Sequence, residues 1–268
     1  MNIQIVGLGA VGTAQAYLAK KLGHNVMGFD PQYDSHIYCK TNDSYVGSAD
    51  MTFLCAPESE VPHIIENLVK IGHEGLIVIK STVPVGTTLS MSEKFNIHIC
   101  HNPEFLREKT AIEDVMNPSR IVIGECCSKH GNMLRKFYDP IESNIHITNP
   151  TTSEIIKLVS NSFRAVTITF WNEIAILCSK KDIDVKKVSE ICDSSKLIGE
   201  WEGGKWGTKY FLQPYDGKCL PKDIRHLINT FREMGENPKL FDACEVFNNK
   251  LKEENSYKMN NRIPEIGK

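Results

Sequence analysis

The sequence has no Cys-x-x-Cys pair, no internal repeat, no low-complexity tract and no long hydrophobic run. Its nine cysteines (39, 55, 100, 126, 127, 178, 192, 219 and 244) are odd in number and scattered, several inside apolar runs such as Thr52-Phe53-Leu54-Cys55. That argues against a disulfide framework and for reduced thiols that mostly serve as small core side chains. The chain enters an apolar strand at Ile3 without a basic leader, so neither a signal peptide nor a membrane span is expected, and the reading is cytoplasmic. Excess charge is lacking too: 31 basic against 33 acidic side chains leave a net −2. No nucleic-acid or membrane footprint follows from that balance, and an anionic ligand must be held by local groups.

What is present is enough apolar residue, 41% of 268, for one large or two medium domains. Short apolar runs at Ile3–Val6, Val26–Asp30, Met51–Cys55, Leu76–Lys80, Ile97–Cys100, Ile121–Gly124 and Ile145–Thr148 read as buried strands. A helical segment from Gly12 to Leu22 closes at Gly23. Strand, helix, strand in repetition predicts α/β architecture, a parallel sheet with helices on its faces. After Asn149-Pro150 the pattern changes. Thr151 and Glu154 fit a capping box, and Ile155, Val159, Phe163, Val166, Phe170, Ile174 and Leu177 mark one apolar face of a long helix. Further helices are expected at Asp184–Cys192, Pro221–Met234 and Leu240–Tyr257, with a Gly/Trp/Lys-rich loop over Gly199–Gly217. Two domains result, residues 1–150 and an all-helical 151–268.

Gly7-Leu8-Gly9-Ala10-Val11-Gly12 fits G-x-G-x-x-G between a strand and a helix, the context of a Rossmann-type, doubly wound dinucleotide site. A pyrophosphate on the helix N-terminus would meet unpaired N–H groups and the positive end of the dipole. Asp30 ends the next strand 18 residues after Gly12 (30 − 12), suited to ribose hydroxyls. No arginine follows it, so NAD is expected rather than NADP.

Lys157 and Asn161 lie one helical turn apart, with Ser160 and Arg164 on the same side; a solvated face and a polar site both fit that spacing. Cys219, in Asp216-Gly217-Lys218-Cys219-Leu220-Pro221-Lys222-Asp223, stands at a loop-to-helix junction among lysines, which suits a low-pKa nucleophile. Asn102-Pro103-Glu104-Phe105-Leu106-Arg107-Glu108 sets two carboxylates after a strand, as ordinary surface or for handling water and protons. His98, Cys100 and His101 cluster in sequence without zinc-type partners, and no metal is expected.

Taken together, the segments Gly7–Gly12, Lys80–Thr87, Asn102–Glu108 with Thr110-Ala111-Ile112, Arg120–Gly124, Glu154–Phe163 and Gly217–Asp223 resemble the UDP-glucose/GDP-mannose dehydrogenase family, in family order over nearly the whole chain. The resemblance implies that Gly7, Gly9, Val11, Gly12, Asp30, Thr82 and Lys222 contact NAD, with Glu108 beside the nicotinamide. It implies a sugar-nucleotide site, UDP-glucose foremost, lined by Glu104, Phe105, Leu106, Arg107, Glu108, Lys157, Asn161, Tyr210, Tyr215 and Gly217. Cys219 would carry a thiohemiacetal and then a thioester, while Glu104, Lys157, Asn161 and Asp223 handle protons, water and oxyanions. A homodimer through the long helix is expected. The family's Gly-Phe-Gly-Gly before Lys-Cys is here Pro214-Tyr215-Asp216-Gly217, its glycine after Arg-Glu is Lys109, and the stretch between Asp30 and Met51 is short. Family members continue past the point matching Lys268 into a third α/β domain, so a second copy or a partner is expected to close that side. β-Hydroxyacid and 6-phosphogluconate-type dehydrogenases share the glycine turn and the Lys-x-x-x-Asn helix but lack a catalytic cysteine; a non-catalytic nucleotide-sugar-binding derivative is the other alternative.

Overall fold

The computed structural model describes residues 1–42, 44–194, 212–217 and 219–260, with side chains to residue 255. The chain divides into two compact units, Met1–Lys157 and Leu158–Lys268.

The first unit is built on an eight-stranded sheet of β1 (Asn2–Val6), β2 (Asn25–Phe29), β3 (Lys40–Thr41), β4 (Met51–Leu54), β5 (Leu76–Ile79), β6 (Ile99–His101), β7 (Ile121–Gly124) and β8 (Ile145–Thr148). Strand order is β3-β2-β1-β4-β5-β6-β7-β8. Helices α1 (Ala10–Lys21), α2 (Val61–Lys70), α3 (Thr87–Phe95), α4 (Ala111–Met116) and α5 (Ser128–Tyr138) connect them. Strands β4, β5 and β7 are buried at every position, which is why they read as unbroken apolar runs. Apolar clusters cover both faces, one around Ile5, Phe53, Val78 and Phe137, the other around Leu54, Ile65, Leu68 and Ile79.

The sheet is parallel from β3 to β6, but β7 runs antiparallel to β6 through one bridging pair, His101↔Gly124, and β8 follows β7 in parallel. This departs from the all-parallel expectation. The link from β6 to β7 holds only a 3₁₀ turn and the short α4, which packs against α1, so the chain doubles back at the edge it left. Asn102 then ties the two strands, donating from Nδ2 to the Val122 carbonyl at 2.7 Å.

Helix α6 (Pro150–Lys180) differs from its expected form at its start. Asn149 Oδ1 accepts from Thr152 N at 2.8 Å and Glu154 faces the sheet, so the Thr151/Glu154 capping box does not form. Glu154 instead accepts from Gly86 N (2.6 Å), Thr88 N (2.8 Å) and Thr88 Oγ1 (2.6 Å), capping α3 from another element. Burial pushes its carboxyl upward against the pull of those donors. The apolar stripe is exposed at Ile155, Val159, Phe163, Phe170 and Leu177, while Ser153, Glu154, Lys157, Leu158, Ser162, Ala165, Ile168 and Asn172 are buried. The opening turns of α6 dock on the first unit through Ser153, Glu154 and Lys157, and that unit runs to Lys157.

His101, fully buried at the end of β6, shares a hydrogen with Ser153 Oγ at 2.9 Å. Desolvation pulls its pKa from 6.5 down to about 3. A base with a depressed folded pKa leaves stability intact above the unfolded value and lowers it as pH falls from about 6.5 towards 3, because only the unfolded chain takes up the proton. Urea unfolding should therefore lose up to roughly 1.4 kcal/mol per pH unit to this group below about pH 6. His101→Gln should shallow that slope by about one proton; an unchanged slope would remove His101 as the cause.

The second unit comprises the rest of α6, α7 (Val185–Asp193) capped by Asp184, α8 (Leu220–Glu233) and α9 (Lys239–Asn260). Its core joins Ala165 and Ile168 to Tyr215, Ile224, Ile228 and Cys244. No described helix in either unit is long and apolar enough to cross a membrane.

Candidate active site

The glycine turn is fixed by contact distances. Gly7 has φ +89°, and a Cβ there would meet Ala56 N at 2.7 Å; a Cβ on Gly12 would lie 1.8 Å from the Gly7 carbonyl oxygen. Both neighbours are backbone and cannot step aside, so helix and turn pack only with glycine at these positions. Gly9 is the opposite case: exposed, with nothing within 4 Å of its would-be Cβ. That leaves approach room in front of α1, whose first turn carries no acidic side chain and whose N-terminus has no side-chain cap. Asp30 holds the turn, accepting from Leu8 N at 2.7 Å with one oxygen and from Gln32 N at 2.9 Å with the other. Val11 is half-buried in the first turn of α1, and Thr82 is half-buried just past β5. A cleft beside the turn is lined by Ala10, Thr13 and Tyr17 from α1 and by Glu108, Thr110 and Met116 from the β6–β7 link.

The β6–β7 link also carries Glu104. Lys157 Nζ donates to its backbone oxygen at 2.6 Å and to Oε1 at 3.1 Å, while Oε2 accepts from Leu106 N at 2.8 Å. Both side chains are nearly out of solvent, 5% exposed for Lys157 and 11% for Glu104. Of the two readings open for the polar side of α6, the solvated one fails here. The Phe105 ring lies 5.4 Å from Lys157 Nζ and 4.2 Å from the Arg120 guanidinium. Arg107 turns to Asp114, bonding it through N, Nε and Nη2, and holds that carboxyl down at about 2. This braces the link; Arg107 reaches a ligand only by leaving Asp114.

In the second unit, Asp223 is fully buried and accepts from Asn161 Nδ2 at 2.5 Å. Lys222 Nζ stands 3.0 Å from its other oxygen, off the hydrogen-bonding direction. Cys219 is the N-cap of α8 and exposed, and its backbone oxygen accepts from Asp223 N. Gly217 supplies φ +83° just before it. Cys55, half-buried in the first unit, is pushed by desolvation up to about 12 and kept protonated.

Tyr215 departs from expectation. Its ring is buried in the helical core, and Asn248 clamps its backbone at 2.8 and 2.9 Å, so the ring is not presented to a ligand. Tyr210, with most of the Gly/Trp/Lys-rich loop, lies outside the described residues. The residue reading missed Lys80, a buried ammonium donating to Asn102 Oδ1 at 2.9 Å and lying 3.3 Å from the Tyr138 hydroxyl. Its signal was a lysine closing a strand otherwise wholly apolar.

Residues 35–142 match the profile described as UDP-glucose/GDP-mannose dehydrogenase family, NAD binding domain, and residues 151–250 match that family's central domain. A UDP-glucose 6-dehydrogenase of Rickettsia conorii is 33% identical over 277 residues, covering 85% of this chain and 62% of that protein. One from Rickettsia prowazekii is 31% identical, covering 99% and 69%. The solved structure of a UDP-glucose dehydrogenase from the hyperthermophilic archaeon Pyrobaculum islandicum matches with a TM-score of 0.84 at 25% identity, covering 93% of this chain and 68% of that one. The chain therefore spans between 62% and 69% of the length of these three relatives.

Proposed function

Because the chain belongs to the UDP-glucose/GDP-mannose dehydrogenase family, we propose that it oxidises the primary alcohol of a nucleotide sugar, UDP-glucose foremost, to the carboxylate. The observation that carries this reading is Cys219, an exposed thiol at the N-terminus of α8, one turn before a buried Asp223 bonded to Asn161. A single-oxidation hydroxyacid dehydrogenase has no use for that thiol.

The residues fit NAD: open space over Gly9, an uncapped helix N-terminus for the pyrophosphate, and Asp30 for ribose hydroxyls. Gly7, Gly9, Val11, Gly12, Asp30, Thr82, Glu108 and Lys222 would hold it. When bound, NAD supplies the hydride acceptor for both oxidations. Lys157 and Asn161 stabilise negative charge on the C6 oxygen as the alcohol loses its proton. Cys219 thiolate then adds to the aldehyde carbon, giving a thiohemiacetal. Oxidation at that carbon yields a thioester. Water attacks it, Cys219 leaves as thiolate, and Asp223 or Glu104 takes the water's proton.

The test is a panel of UDP- and GDP-sugars with NAD, following absorbance of NADH. Two NADH per sugar are expected, with NADP a poor substitute because Asp30 repels a 2′-phosphate. One NADH per sugar, or equal use of NADP, would count against the reading.

A homodimer is supported by the apolar stripe of α6, which the described residues leave exposed. Light scattering should give twice the 30.2 kDa chain mass. Phe163→Asp with Phe170→Asp should halve it. A monomeric wild type sinks the proposal.

A further inference from the structure

His98, Cys126, Cys127 and His130 come together away from the glycine turn and the Glu104–Lys157 pair, each offering a ligand atom within 4.8 Å of the others. Cys126 and Cys127 follow β7, and His130 sits in the first turn of α5, so three of the four come from one short bend. The fourth, His98, directly precedes β6. Since Ile99 pairs with Ile77, near the start of β5, this cluster lies towards the amino edge of the sheet, opposite the edge that carries the glycine turn and Glu104. Sequence spacing alone hides it, because Cys100 and His101 face other partners. Cys100 is in the core, and His101 bonds Ser153.

We infer that these four side chains form a binding site for a zinc-type divalent cation. Two thiolates and two imidazoles are a soft, tetrahedral donor set with no open position, the makeup of a structural rather than a catalytic zinc. In such a tetrahedron the donor–donor edges are about 3.3–3.8 Å, given Zn–S near 2.3 Å and Zn–N near 2.0–2.1 Å. Two edges already have that length. Cys126 Sγ lies 3.5 Å and Cys127 Sγ 3.3 Å from His130 Nδ1. The His98 and His130 rings stand 4.6 Å apart, so closing the remaining edges takes side-chain adjustments on the order of 1 Å.

Cys127 is the N-cap of α5, where no side chain caps the helix. The positive end of the helix faces Cys127, with the Glu125 carboxylate packed against the same turn at Gly131. The bend is also tightly held, since a Cβ on Gly131 would lie 1.7 Å from Glu125 Oε2. Binding converts two thiols to thiolates and releases two protons, with no oxidant required. A metal here would join β6 to the β7–α5 bend, across the one junction of the sheet that a single bridging pair secures.

The experiment uses the full chain, purified under a phosphine reductant, stripped with a chelator and dialysed against zinc. Metal analysis should find one zinc per chain, and cobalt in its place should give the intense visible bands and thiolate charge transfer of a tetrahedral site. Cys219→Ala, which removes the exposed thiol as a rival ligand, should keep both signals. Cys126→Ser with Cys127→Ser should lose both. His98→Ala, at an exposed position that leaves the core alone, should weaken cobalt binding at least about tenfold while circular dichroism stays unchanged. Failure of the reduced wild type to bind stoichiometric metal would overturn the site, as would binding that survives the double serine variant. So would thiol titration showing that Cys126 instead pairs oxidatively with Cys100, whose sulfur lies 3.8 Å away.

Discussion

Replacing Cys219 with alanine leaves NAD binding intact and lowers uronate formation by at least about 10³-fold, the scale of loss when a covalent nucleophile is removed. The expectation follows from position. Cys219 caps α8 in the second unit and the glycine turn and Asp30 belong to the first, so the substitution removes none of the groups proposed to hold NAD. The exposed thiol also contributes little to packing, and stability should stay within about 0.5 kcal/mol. Serine at this position is the sharper probe. It keeps a hydroxyl in place, but an alcohol is far less ionised than a thiol, and an ester left on serine would hydrolyse more slowly than a thioester. Calorimetry with NAD and rapid-quench analysis of the sugar would separate the outcomes. A Cys219→Ala enzyme producing uronate at the wild-type rate would exclude the covalent route.

The other large effect is expected at Lys157. Lys157→Met removes one member of a buried ion pair and leaves the Glu104 carboxylate with Leu106 N as its remaining hydrogen-bond donor. An uncompensated buried charge of this kind costs about 3–5 kcal/mol, far more than losing an exposed pair such as Lys70 with Glu66. Turnover should fall as well, by roughly 10²–10³-fold, if the ammonium stabilises the developing C6 oxyanion. The two losses separate in the double variant. With Glu104→Gln added, no charge is left stranded and most of the stability should return, but turnover should not. Denaturant melts and steady-state rates on the three variants measure this directly. Recovery of both together would make Lys157 a structural residue only, and recovery of neither would point to a role in packing.

How much of this could be read from the chain depends on where each residue's partners lie. Met51–Leu54, Leu76–Ile79 and Ile121–Gly124 are strands buried at every position, and their apolar runs announce them. The two-residue β3, Lys40–Thr41, has no such run and passes unseen. The glycine turn and Asp30 are local in sequence and were legible. So was the loop-to-helix setting of Cys219. Glu104 and Lys157 were each singled out, but their pairing was not legible, because 53 residues separate them and neither local spacing points to the other. The inward side of α6 is set at a distance in the same way. Its periodic apolar residues mark a face but not where that face points, and the inward side is chosen by Ser153, Glu154 and Lys157 meeting His101, Thr88 and Glu104.

That arrangement bears on how the helix can change over generations. For the chain's own fold, the positions along α6 that tolerate substitution are the greasy ones, Val159, Phe163 and Phe170, since each is about half in solvent. The positions that resist it are hydrophilic, because each satisfies a group on a distant segment. A lineage free of any outside constraint would let the stripe drift towards polar residues while Glu154 and Lys157 stayed fixed. Retention of bulky apolar residues there through such drift would mark selection by a surface that the described residues do not provide.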